Sequence, residues 1–284
     1  MIRRDKEKNY QKAIQKEWKA LQKRESRIEV VFEKEQNGTG WRQMLESKVP
    51  DKIRTNLEKA FCVAFTTVFE KGTGIIEKSY DRQKILDNVQ IQNYAFQVKA
   101  DRKSLKQVRN GVAHKNLGNI AATAVEGVGL GVLGIGLPDI VIFTGVLLRG
   151  VYEVSLHYGF DYDTEEERYF ILKLMETAMR SGEAWKAGNG EIDRLIIEMA
   201  EEEACPGPAA YATKEDVAEQ IRNTSDAFAA DMLILKFVQG IPIVGVLGGC
   251  GNPVYYNKVM KYAQMKYQRR YLYRLGAANC PYGM

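Results

Sequence analysis

Apolar residues recur at spacings of three, four and seven over residues 14–32: Ile14, Trp18, Leu21, Ile28 and Phe32 stand on a charged background, with Glu25 interrupting. A stripe of this period predicts one long helix with a single buried face. Asn37-Gly38-Thr39-Gly40 predicts a turn after it. The next periodic run, Ile53, Leu57, Ala60, Phe61, Ala64 and Val68, follows Pro50, a residue suited to a first helical turn, and Gly72 and Gly74 are expected to end it. Two further helices are expected between Ile75 and Val112.

From Gly118 to Leu148 the only charged residues are Glu126 and Asp139, and Pro138-Asp139 divides the stretch into two apolar arms. Neither arm alone reaches the roughly 20 apolar residues that span a bilayer core. Residues 227–251 are similar, with Gly240-Ile241-Pro242 placed as Gly136-Leu137-Pro138 is in the first region. Between them, Thr164 with Glu167 and Thr213 with Asp216 have the spacing of helix-capping boxes. Gly188-Asn189-Gly190 and Cys205-Pro206-Gly207-Pro208 read as loops. Sustained alternation of the β type is absent, so the fold class is all-α. The reading is a single large helical domain over 41–284, built around two glycine-rich apolar helical hairpins, with a basic helical N-terminal extension over 1–40. Glycine inside a helix costs about 1 kcal/mol relative to alanine unless a close contact compensates. The two regions are therefore expected to pack against each other through Gly127, Gly129, Gly131, Gly134 and Gly136 on one side and Gly240, Gly245, Gly248 and Gly249 on the other. Asp139 and Arg149 would sit near one end of that contact.

A chain of 284 residues with 45% hydrophobic and 27% charged residues has the balance of a globular protein. Cys62, Cys205, Cys250 and Cys280 form no CxxC pair, which points to reduced thiols rather than zinc or disulfides. The opening MIRRDKEKNYQK is charged where a secretion signal would turn apolar, placing the chain in the cytoplasm or at the inner face of the membrane. Charge is uneven: residues 1–24 and 252–284 each carry +6, and the middle carries −7. Basic ends of this kind suggest an anionic partner, a membrane surface or nucleic acid, and the expected one is an anionic membrane surface or a membrane protein.

Candidate chemistry is sparse. Gly129-Leu-Gly131-Val-Leu-Gly134 matches GxGxxG, yet Pro138 follows too soon for the helix that a pyrophosphate needs, so the glycines read as helix-packing residues and no cofactor is expected. Asp161, Asp163 and Glu165 start like a calcium loop, but Glu166 stands where the turn needs glycine and Leu172 where a bidentate Glu is needed; no metal site is expected. Arg149 and Glu153 are spaced as a helical ion pair. Asp231 and Lys236, inside the second apolar region, must pair or reach the surface. VYYNKVMKYAQMKYQRRYLYRL interleaves six tyrosines with Lys258, Lys261, Lys266, Arg269, Arg270 and Arg274. Together with Lys236, the first five of these form the expected membrane- or partner-binding set, since aromatic rings among basic charges suit a membrane interface. Nucleic acid is not the expected partner, because no RNP, KH or helix-turn-helix signature accompanies them.

The run GVLGIGLPDIVIFTGVLLRGVYEVSLHYGFDYDTEEERYFILKLM, residues 131–175, resembles the EcsC protein family, and the resemblance continues in GIPIVGVLGGCGNPVYYNKVMKYA. It covers roughly residues 50–275 and matches the family pattern at Gly136, Pro138, Asp139, Arg149, Tyr158, Gly159, Asp161, Pro242, Gly245 and Asn252. The resemblance implies an association with an ABC-type transporter and no established catalytic residues. The expected function is thus a non-enzymatic protein at the cytoplasmic membrane face, supporting a transporter or an envelope process. The alternative is a hydrolase-like enzyme using Asp139, His157 or Asp161 in a pocket between the two apolar regions.

Overall fold

The computed structural model describes residues 2–34, 50–69, 73–113, 138–204, 212–238 and 253–276, and every regular element among them is helical. Helix α1, Ile2–Lys34, follows the first apolar stripe and buries Ile14, Trp18, Leu21 and Phe32. Helix α2, Asp51–Thr67, starts directly after Pro50, whose extended ψ of 128° makes it the residue before the first turn. Gly74 does not end this helix but lies inside the short α3, Thr73–Glu77. Helix α4, Arg82–Lys99, is capped by Asp81, which accepts from the Lys84 amide at 2.9 Å. It stops at Ala100, whose φ of 50° turns the chain into α5, Arg102–Ala113.

Helix α6 is described over Pro138–His157, from the proline that divides the first apolar region, and includes Asp139, whose side chain lies outside the described residues. It ends in a Schellman turn: Gly159, with φ of 76°, donates to the Leu156 carbonyl while Phe160 reaches back to that of Ser155. Helices α7, Glu165–Met179, and α9, Lys214–Val238, begin at the two capping signatures. Thr213 and Asp216 form the full reciprocal box. At α7 only half of it forms. Thr164 caps the Glu167 amide at 3.2 Å, but the Glu167 side chain is used elsewhere.

Gly188-Asn189-Gly190 is not a loop. It lies within α8, Gly182–Ala204, where a Cβ on Gly188 would come within 2.6 Å of Thr177 Oγ1 on α7. The glycine serves close approach of two helices rather than a turn. Gly188→Ala is therefore expected to lower stability by about 1–2 kcal/mol in urea denaturation, because overpacking outweighs the gain in helix propensity. Thr177→Ala added to it should restore most of the loss.

The last described helix, α10, Pro253–Arg274, runs through the middle of the fold, in contact with α1, α6, α7 and α8. Around this axis, α9 packs on α7 and α2, α2 on α6, and the α4–α5 pair on α6, with α1 lying across α5, α8 and α10. The expected extension is part of the core: Ile14, Trp18 and Leu21 belong to the same buried cluster as Tyr267 and Leu272. The described parts of the two apolar regions meet through aromatic rings. Phe143 of α6 stands edge-on to Phe228 of α9 at 6.3 Å, and Phe61 and Phe65 of α2 complete the group. The glycines expected to mediate that contact, Gly127–Gly136 and Gly240–Gly249, lie outside the described residues, as do the turn at 37–40 and the loop at 205–208. Within α6, Ile140–His157 is long and apolar enough to cross a membrane, but 83% of it is buried among the other helices, as in a core helix.

Candidate functional site

The basic and aromatic character of α10 is spent inside the protein. Lys266, 1% exposed, bonds Asp193 of α8 at 2.5 Å. Arg269 reaches Glu25 of α1 at 2.9 Å and Asp193 at 3.3 Å. Arg270 bonds the buried Glu167 carboxylate at 2.5 Å and lies 4.0 Å from the centre of the Phe160 ring. Arg274 grips Glu203 through two nitrogens, at 2.7 and 2.9 Å. Glu167 also accepts from the Tyr267 hydroxyl at 2.5 Å. Burial works against the Arg270 charge, yet Glu167 beside it holds the guanidinium above its ordinary value. Burial pulls the Lys266 amine down, with Asp193 opposing. Three carboxylates of α7 and α8, Glu167, Asp193 and Glu203, are thus partners of the basic helix α10, together with Glu25 of α1.

This corrects the expected membrane-binding set. Lys266 and Arg270 are buried against carboxylates, and the part-exposed Arg269 is paired with Glu25 and Asp193, so these three charges are balanced within the fold. Lys258 lies 3.5 Å from Asp231, which answers how that embedded carboxylate is compensated. Lys261 alone of the α10 members is exposed and forms no ion pair with a described residue. The Lys236 side chain lies outside the described residues.

The family-pattern residues that are described gather at the corner after α6. Arg149 bonds Glu153 at 3.2 Å and the Ser79 carbonyl at 3.1 Å, tying α6 to the turn before α4. Asp161 accepts from Arg82 through both oxygens at 2.8 Å, and Asp163 lies 3.1 Å from the same guanidinium. Next to it the Tyr162 hydroxyl donates to Glu77 at 2.8 Å and meets that of Tyr80 at 2.6 Å. Burial, with Glu77 adding to it, pushes the Tyr80 phenol up to about 12. Tyr158 is buried against Tyr271, and the Gly159 carbonyl accepts from Arg274 at 3.1 Å. These contacts make a latch joining the α3–α4 segment to α6 and α10. His157 uses its Nδ1 proton on the Glu153 carbonyl at 2.8 Å, while Asp161 is held by Arg82, so the two candidate catalytic groups serve different partners. Among the described residues no three His, Cys, Asp or Glu side chains converge as metal ligands. Gly136, Pro242, Gly245 and Asn252, and the side chains of Pro138 and Asp139, lie outside the described residues.

The sequence model of the EcsC protein family matches residues 8–272, nearly the whole span from α1 to α10. The chain belongs to the EcsC protein family. The EcsC match starts well before residue 50, where the sequence resemblance was expected to start, and takes in most of α1, in keeping with the burial of that helix in the core. No curated protein and no solved structure matches the chain.

The outer side of α1 carries the feature that sequence reading missed. Lys8, Lys12, Lys16, Lys19, Lys23 and Arg27 are all exposed, at spacings of four, four, three, four and four. With 3.6 residues per turn this is one straight stripe, about 28 Å long, on the side opposite Ile14, Trp18 and Leu21. Lys8, Lys12, Lys16, Lys23 and Arg27 form no ion pair with any described residue. The register was open to view in the sequence but disappears when charge is only summed by segment.

Proposed function

We propose that this EcsC-family protein is a non-enzymatic helical protein of the cytoplasm that docks on the anionic face of a membrane, in support of an ABC-type transporter or an envelope process. The observation that supports this reading is the α1 stripe: six exposed basic groups in line on a helix whose other side is anchored in the core. A rigid row of cations matches a planar anionic surface, to which each basic group near the headgroups contributes about 1 kcal/mol. The C-terminal basic helix, used internally, no longer supports it. The hydrolase alternative draws no support from His157 and Asp161, each held by its own structural partner.

Flotation with vesicles containing phosphatidylglycerol tests the reading. The protein is expected to float at low salt and to be released as salt rises, since screening shortens the reach of surface charges to about 8–10 Å. Lys12→Gln, Lys16→Gln, Lys19→Gln and Lys23→Gln together should weaken vesicle binding by about a thousandfold, four contributions of about 1 kcal/mol each. Recovery of the parent protein only in the unbound fraction at low salt, or equal flotation of the fourfold variant, would remove the basis of the proposal.

A further inference from the structure

We infer that the groove between the end of α1 and the start of α10 takes the single acyl chain of an anionic membrane lipid. The inference rests on the membrane-surface reading for the source of that lipid. The groove has a volume of about 430 Å³. That is at the small end of ligand pockets, which run from about 300 to 1,000 Å³, and it suits one chain rather than a paired-chain tail.

Its lining sorts by chemistry. Val31 of α1 and Val254 of α10 line the groove and are 57% and 54% exposed, so both offer apolar surface to an occupant. Phe32 also lines it, is buried, and is held by stacking on Trp185 at 4.8 Å, with the rings 8° from parallel. The polar groups are Asn257, Lys258 and Lys261, all on α10. Lys258 stands 5.4 Å over the Phe32 ring and is balanced by Asp231, whereas Lys261 is exposed without an ion pair among the described residues. The groove therefore presents apolar walls, one amide and one net positive charge. A single apolar chain ending in one anionic head is its complement.

Position supports the same occupant. Val30 falls three residues after Arg27, in register with the basic stripe of α1, and is itself 47% exposed. The face proposed to lie on the membrane thus ends in an apolar side chain next in sequence to Val31, which lines the groove. A lipid could enter from the surface on which the stripe rests.

The test is calorimetric titration of the full chain with lysophosphatidylglycerol below its micelle concentration, with zwitterionic lysophosphatidylcholine as comparison. The expected result is one molecule of the anionic lysolipid per chain. Lys261→Glu should weaken binding by about thirtyfold, the scale of removing and then reversing one surface cation at about 1 kcal/mol each. Val31→Trp should abolish binding by filling the groove, and because Val31 is exposed the variant keeps its helical circular dichroism. The fourfold α1 lysine variant should bind the lysolipid as the parent does, which separates the groove from the stripe. Absence of binding, equal binding of the two lysolipids, or undiminished binding by Val31→Trp overturns the groove while leaving vesicle flotation as it was. Loss of flotation with lysolipid binding intact overturns the surface reading and leaves the groove standing.

Discussion

Glu167→Gln is expected to destabilise the protein by roughly 3 kcal/mol, the lower part of the 3–5 kcal/mol range for breaking a buried ion pair from one side. Glu167 is 2% exposed and serves Arg270 at 2.5 Å and the Tyr267 hydroxyl at 2.5 Å. Neutralising it leaves the Arg270 guanidinium, itself 5% exposed, with Glu203 at 3.5 Å as its only remaining carboxylate among the described ion pairs. The lower part of the range follows from that second partner. Replacing both members, Glu167→Gln with Arg270→Met, should recover much of the loss, since an apolar pair in place of a buried ion pair is often neutral or better. Urea denaturation of the two single variants and the double variant closes the cycle. The expected coupling is well above the few tenths of a kcal/mol seen for independent sites.

A second large effect is expected in alkali. Burial pushes the phenols of Tyr158, Tyr262, Tyr267 and Tyr271 above their ordinary value, with Asp193 adding at Tyr262 and Glu167 at Tyr267. Burial also lifts Tyr256 to about 12. The unfolded chain releases these protons near pH 10 while the folded chain holds them. Their stabilising effect is therefore complete below about pH 10 and is lost as pH rises toward the folded values. Each of these phenols adds to the loss of stability as pH rises above about 10, and the contributions run in the same direction. Lys266 has the opposite sign. Its amine is lowered by burial, so its contribution to stability rises with pH up to about 10.5, just where the tyrosine loss begins. Tyrosinate absorbance and far-ultraviolet circular dichroism, followed together, should show one steep transition between about pH 10 and 12 in which ionisation and unfolding coincide.

Local signals in the sequence were the readable ones. The stripe from Ile14 to Phe32, the start after Pro50 and the Thr213–Asp216 box depend on neighbours within a few residues, and each has its place in the fold. Gly188 misled because two glycines flanking an asparagine look the same whether they supply a turn or a close helix contact. Only Thr177, on a different helix, decides which. The α10 cations misled for the same reason at greater distance. Arg270 is 103 positions from Glu167, and Arg269 is 244 from Glu25, so their pairing is invisible to any local window. With those charges absorbed, the candidate interface moved from the tyrosine-rich end to the outer side of α1.

The central place of α10 also bears on how the chain is made. Helices emerge in order during synthesis, and the one that α1, α6, α7 and α8 surround is the last of those described. Gln268 must travel back to Glu17, 251 positions earlier, before the α1 carboxylate finds all its donors. Until then Glu167, Asp193 and Glu203 have no cations to meet, and the apolar faces of α6 and α7 stand open around an empty axis. The nascent chain is therefore held in an unfinished, adhesive state until α10 has been made, the condition in which holding chaperones act. Loss of α10 alone should yield an aggregate rather than a folded protein one helix short.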